Sequence, residues 1–107
     1  MKTQALIVFC THPNSAEAHC LAKKIVEASL AACVQILPQV SSVYRWDNQT
    51  QVENELLMLI KTIEQNYSPL ETYLKTNHPY ECPEIIATPI DKSEPSYLSW
   101  MIKNASI

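Results

Sequence analysis

Not one of the 107 residues is glycine. Glycine alone enters the left-handed backbone region without steric cost, so this chain must build such positions from Asn or Asp, or avoid them. Asp47–Asn48 lies between two β-rich runs and is the strongest turn signal. It predicts a hairpin with residues 33–46 and 50–63 as its arms. The first arm, CVQILPQVSSVYRW, is interrupted by Pro38, which has no N–H to give a ladder. That predicts an edge strand carrying a bulge. The second arm, TQVENELLMLIKTI, alternates in its first half and is apolar throughout LLMLI. A strand of two characters projects beyond its sheet before entering the core.

The flanking segments complete a repeating order. ALIVFCT (5–11) is a continuous apolar run, as a buried strand requires. Asn14 can cap a helix over 15–30, with Glu17 three residues on and Ala18, Leu21, Ala22, Ile25 and Val26 at helical spacing. A second helix is predicted over 66–77, with Ser68 as cap and Pro69 at its first position. EIIATPI (84–90) reads as a fourth strand, and Pro95, after Ser93 and Glu94, opens a short terminal helix. The order β-α-β-β-α-β plus a tail helix predicts an α+β, ferredoxin-like sandwich as one domain over 1–107. Its antiparallel sheet carries two helices on one face and an extended hairpin of the second and third strands. Strands one and four are then antiparallel neighbours, which sets Cys10–Pro13 beside Cys82 and Glu84.

Charge and composition exclude several classes. The net charge is −3, and only Lys23–Lys24 are adjacent among eight scattered basic residues. A nucleic-acid binder would need clustered cations to displace counterions. No apolar run approaches the roughly 18 residues of a membrane span. MKTQALIVFCTH lacks a small-residue cleavage site. Cys10, Cys20, Cys33 and Cys82 form no CxxC pair, which suits free thiols in a reducing, cytoplasmic compartment.

The chemistry concentrates in HPYECPEI, residues 78–85. His78 and Cys82 each precede a proline, so both are held extended in a stiff segment. Cys10 and His78 together offer a thiolate and an imidazole, which select copper or zinc over magnesium or calcium. Cys82 and His12 are further donors within reach. The competing assignment packs Cys10 in the core and uses His78 to cap the preceding helix. His12 and His19 are expected on the surface. No glycine-rich phosphate cradle or oxyanion loop exists, and Tyr80 and Glu81 point opposite ways on an extended segment, so no enzyme is expected. Tyr44–Arg45–Trp46, beside the hairpin turn, suits a partner surface. Lys61 is expected to extend its head into water.

VFCTHPN, LAACVQILPQVSSVYRW, LMLIKT, HPYECPEI and YLSWM together closely resemble the CutA family of divalent-cation tolerance proteins, from about residue 5 to residue 102. The resemblance implies a ferredoxin-like fold, a tight homotrimer through the long hairpin, and copper binding in copper tolerance. It assigns Cys10 and His78 as ligands. The family's first histidine position is Asn77 here, and Cys82 stands where the family has an aliphatic residue or Thr. The same plan is similar to nitrogen-regulatory trimers, which take small effectors between subunits. That implies an alternative role for His78, Tyr80 and Lys61 around an effector cleft.

Overall fold

The Asp47–Asn48 turn joins β2 (Cys33–Trp46) to β3 (Gln49–Ile63), with φ of 52° and 62° at its two positions. Two consecutive left-handed residues make the turn whose twist matches paired strands. The glycine-free chain uses the left-handed region twice more, at Ser29 (φ 59°) and Gln39 (φ 59°). This corrects the expectation that only Asn or Asp would stand there. Ser29 follows the first helix, where Ser29 N–H donates to the Val26 carbonyl and Leu30 N–H to the Ile25 carbonyl. That paired reversal demands a left-handed residue. Gln39 lies in the bulge that Pro38 opens, where the register shifts between Leu37 and Val40.

The computed structural model describes residues 3–106, so Met1, Lys2 and Ile107, and the N-terminal leader question that Met1 and Lys2 bear on, lie outside it. Its order is β1 (Ala5–His12), α1 (Ser15–Glu27), β2, β3, a 3-10 turn (Glu64–Asn66), α2 (Tyr67–Asn77), β4 (Ile85–Pro89) and α3 (Pro95–Asn104). The sheet order is β2-β3-β1-β4, and all three pairings are antiparallel. The α+β, ferredoxin-like expectation therefore holds among the described residues. Asn14 accepts from Glu17 N–H at the start of α1, and Glu94 from Ser96 and Tyr97 N–H at the start of α3. Two boundaries differ. α1 ends at Glu27 because the reversal at Ser29 stops it. α2 begins at Tyr67 without a side-chain cap, continuing the 3-10 turn, so Ser68 lies inside it.

Ala18, Leu21 and Ile25 of α1 and Leu70 and Leu74 of α2 pack on Val8, Cys10, Met58 and Ile60. Each such buried side chain contributes about 1.5–3 kcal/mol. α3 covers one end of the opposite sheet face, where Met101 and Ala105 meet Ala5 and Ile63. At the other end of that face Thr11 and Glu55 are also buried, Glu55 beneath Tyr80. β1 pairs with β3 only from Leu56 to Ile63, so the rungs from Val40–Glu55 to Trp46–Gln49 stand clear as an arm. Val43 and Val52 face each other across it, 67% and 66% exposed.

Candidate metal and ligand site

Two His-Pro dipeptides meet at the end of β1. His12–Pro13–Asn14 leaves β1, and His78–Pro79–Tyr80 leaves α2. Proline carries no N–H, so the first free amide is two residues on, and each imidazole takes it. Asn14 N–H donates to His12 Nδ1 at 3.0 Å, and Tyr80 N–H donates to His78 Nδ1 at 3.0 Å. A ring nitrogen that accepts a hydrogen bond holds no proton, so each neutral ring carries its proton on Nε2. His78 Nε2 donates to the Thr11 carbonyl at 2.7 Å. The two rings pack with centroids 4.8 Å apart. His12 is thus 1% exposed, not on the surface. It shares the inward phase of β1 with Cys10, and His78 covers it. Burial, then the neighbouring His78, hold its pKa below 6.5. His19 is exposed on α1, as expected.

Cys10 lies fully in the core, and its Sγ approaches the same Thr11 carbonyl at 3.6 Å. The structure therefore brings Cys10 and His78 to one oxygen atom, although they are far apart in sequence. Pairing of Cys10 with Ile85 brings the start of β4 there too. Burial, then Glu84 and Glu55, push the Cys10 thiol up to about 12, so it is protonated at neutral pH. Both ring nitrogens of His78 are engaged by backbone. The Asn77 amide donates to the Tyr73 carbonyl, and Cys82 is exposed on the loop. Among the described residues, no three His, Cys, Asp or Glu side chains are grouped to hold one metal ion. The donors present do not fit a four-ligand divalent site. A soft ion of low coordination number would need only the Cys10 thiolate and one His78 nitrogen, the latter released from its backbone partner.

Above this junction lies an open cavity of about 770 Å³ between the hairpin arm, from Glu55 at its base to Trp46 near its turn, and the HPYECP loop. The Tyr80 hydroxyl donates to Glu55 Oε2 at 3.1 Å, and Glu55 is only 7% exposed. Burial, then Glu55, push the Tyr80 phenol up to about 12. Sequence reasoning missed Glu55 by placing it on the exposed, alternating half of its strand. Its cover is Tyr80, which arrives from 25 residues away. The visible signal was its phase: Glu55 shares a face with Leu57 and Leu59. Lys61 does not join this cavity. It stands six residues along β3, roughly 20 Å at the usual strand rise. Its Nζ bonds the Tyr97 hydroxyl at 3.2 Å, so its head is not simply in water.

The model of the CutA1 divalent ion tolerance protein family matches residues 6–104. The chain belongs to that family. A divalent-cation tolerance protein CutA of Yersinia pestis is 38% identical over 105 residues, 98% of this chain and 87% of the relative. The crystal structure of CutA1 from Shewanella sp. SIB1 superposes with a TM-score of 0.91 at 43% identity, covering 97% of each chain. A structure from Archaeoglobus fulgidus, described as a periplasmic divalent cation tolerance protein CutA, gives 0.91 at 29% identity and covers 95% and 99%.

Proposed function

We propose that this CutA1-family chain acts in divalent-cation tolerance as a non-enzymatic homotrimer that binds a soft metal ion, copper foremost, through Cys10 and His78. The observation that carries this reading is the convergence of a thiol and an imidazole on the Thr11 carbonyl. Copper(I) is the ion whose softness and low coordination number suit that pair. Trimer formation is supported by apolar surface that one chain leaves in water. Val43 and Val52 on the arm, and Leu37 and Ile86 on the sheet, are each more than 40% exposed. No described helix is long and apolar enough to cross a membrane. A cytoplasmic location is supported by four cysteines that are all unpaired.

Competition for copper(I) against a chromogenic chelator under reducing conditions tests the ligand assignment. Wild type takes the ion, and Cys10→Ala loses at least 100-fold in affinity. Equal affinity in the two would remove Cys10 from the site. Sedimentation tests the assembly: Val43→Asp with Val52→Asp moves the mass from trimer towards monomer. An unchanged trimer would take the arm out of the interface. A second reading, a signalling or interaction scaffold with an effector cleft between subunits, is favoured by the cavity at Tyr80 and Glu55.

A further inference from the structure

The His78 ring has no nitrogen free for a ligand. Nδ1 accepts from Tyr80 N–H at 3.0 Å, and Nε2 donates to the Thr11 carbonyl at 2.7 Å. Together these bonds hold residues 78–80 against the end of β1, with the ring packed on His12. From the same loop the Tyr80 hydroxyl donates to Glu55 Oε2 at 3.1 Å. Glu55 is the first residue of β3 beyond its pairing with β1, where the arm begins. The loop is thus fastened at two points, to the end of β1 by an imidazole and to the base of the arm by a phenol.

A metal ion takes an unprotonated ring nitrogen, and a neutral imidazole has only one. At His78 that nitrogen is Nδ1, and Tyr80 N–H occupies it. An ion bound at Nδ1 displaces that amide. Nε2 is the nitrogen that shares the Thr11 carbonyl with Cys10 Sγ, and an ion bound there requires the ring proton to sit on Nδ1 instead. Nδ1 is then a donor facing the Tyr80 donor, and the same bond is lost. Either route frees Tyr80 N–H, and the second frees the Thr11 carbonyl as well. Pro79 has no N–H to take the place of Tyr80. We infer that a soft ion on His78 and the closed HPYECP loop exclude one another, so that the loop is a clasp that ion uptake opens. This switch rests on the Cys10–His78 reading of the site and adds its regulation. Because the clasp includes the Tyr80–Glu55 bond, ion occupancy is coupled to the base of the arm. Such coupling is reciprocal, so whatever loosens the clasp strengthens ion binding.

The probe is copper(I), supplied to the full-length protein under reducing conditions in competition with a chromogenic chelator. Amide hydrogen exchange, followed by NMR, reads the clasp. On loading, Tyr80 N–H loses at least tenfold in protection. Leu30 N–H, which bonds Ile25 near the far end of β3, keeps its protection. Tyr80→Phe removes the bond to Glu55 but keeps the amide, and it binds copper(I) about fivefold more tightly than wild type. Cys10→Ala loses the ion in either background. Copper(I) binding that depends on Cys10 yet leaves Tyr80 N–H protected would overturn the inference and leave the ligand assignment standing. So would Tyr80→Phe binding no more tightly than wild type, or an equal loss of protection at Leu30. Copper(I) binding that survives Cys10→Ala, or no binding at all, would overturn the assignment and the inference together.

Discussion

Replacing His78 by alanine should loosen the end of β1, and the structure sets the size of the effect. The ring gives one hydrogen bond to the Thr11 carbonyl and takes one from Tyr80 N–H. A buried backbone group left unpaired costs about 1–3 kcal/mol. The Thr11 bond is fully buried and the Tyr80 bond partly so, which lets water recover some of the second. The lost ring also removes packing on His12. The total is about 3 kcal/mol, and with a urea dependence of about 1.5 kcal/mol per molar the midpoint falls by about 2 M. Protein concentration must be held constant, because association adds to apparent stability. His78→Gln, whose amide can still donate to Thr11, should recover part of the loss. The Tyr80 phenol, held up at about 12, should titrate lower in the alanine variant as its bond to Glu55 loosens. A midpoint shift under about 0.3 M with Tyr80 unmoved would show that His78 does not pin the loop.

Other consequences concern the scaffold. Ser29→Gly should stabilise by about 1 kcal/mol, read as a rise in melting temperature, because the left-handed cost at φ 59° disappears. Asn66→Ala should destabilise by about 2 kcal/mol in urea unfolding, since the Asn66 amide holds the Ser29, Leu30 and Ala105 carbonyls together. Stability should fall on acidification through His12. Its folded pKa lies below 6.5, so the unfolded chain protonates first. Stability is full above pH 6.5 and declines as pH drops from there through the folded value. His12→Gln should flatten that slope.

Much of this fold was legible because local and long-range signals agreed. Asp47–Asn48 fixed the hairpin, Pro38 fixed the bulge, Asn14 capped the first helix as its spacing indicated, and of the two cap candidates before Pro95, Ser93 and Glu94, it is Glu94 that caps the last. Cys10 and His78 were placed together by topology alone, since neighbouring β1 and β4 bring their flanking loops together. What escaped was whatever depends on atoms arriving from elsewhere. Ser29 looks like a helical residue until Leu30 is seen to bond back to Ile25. Asn66 looks like a helix start, yet its amide reaches across to the ends of α1 and α3. His12 and Glu55 were placed outside although their strand phase allowed burial, because the side chains that cover them arrive from the 78–80 loop, which phase alone does not locate.

The central claim is that the HPYECP loop is closed onto β1 by a neutral His78 ring with its proton on Nε2. Long-range proton–nitrogen NMR of the imidazoles, at pH 7.5 on metal-free protein, reads that state directly. His78 should show a protonated Nε2, slow to exchange, and an unprotonated Nδ1. A proton on Nδ1 instead, or a ring freely exchanging with water, would mean that Thr11 is not its partner and that the junction is not built as described.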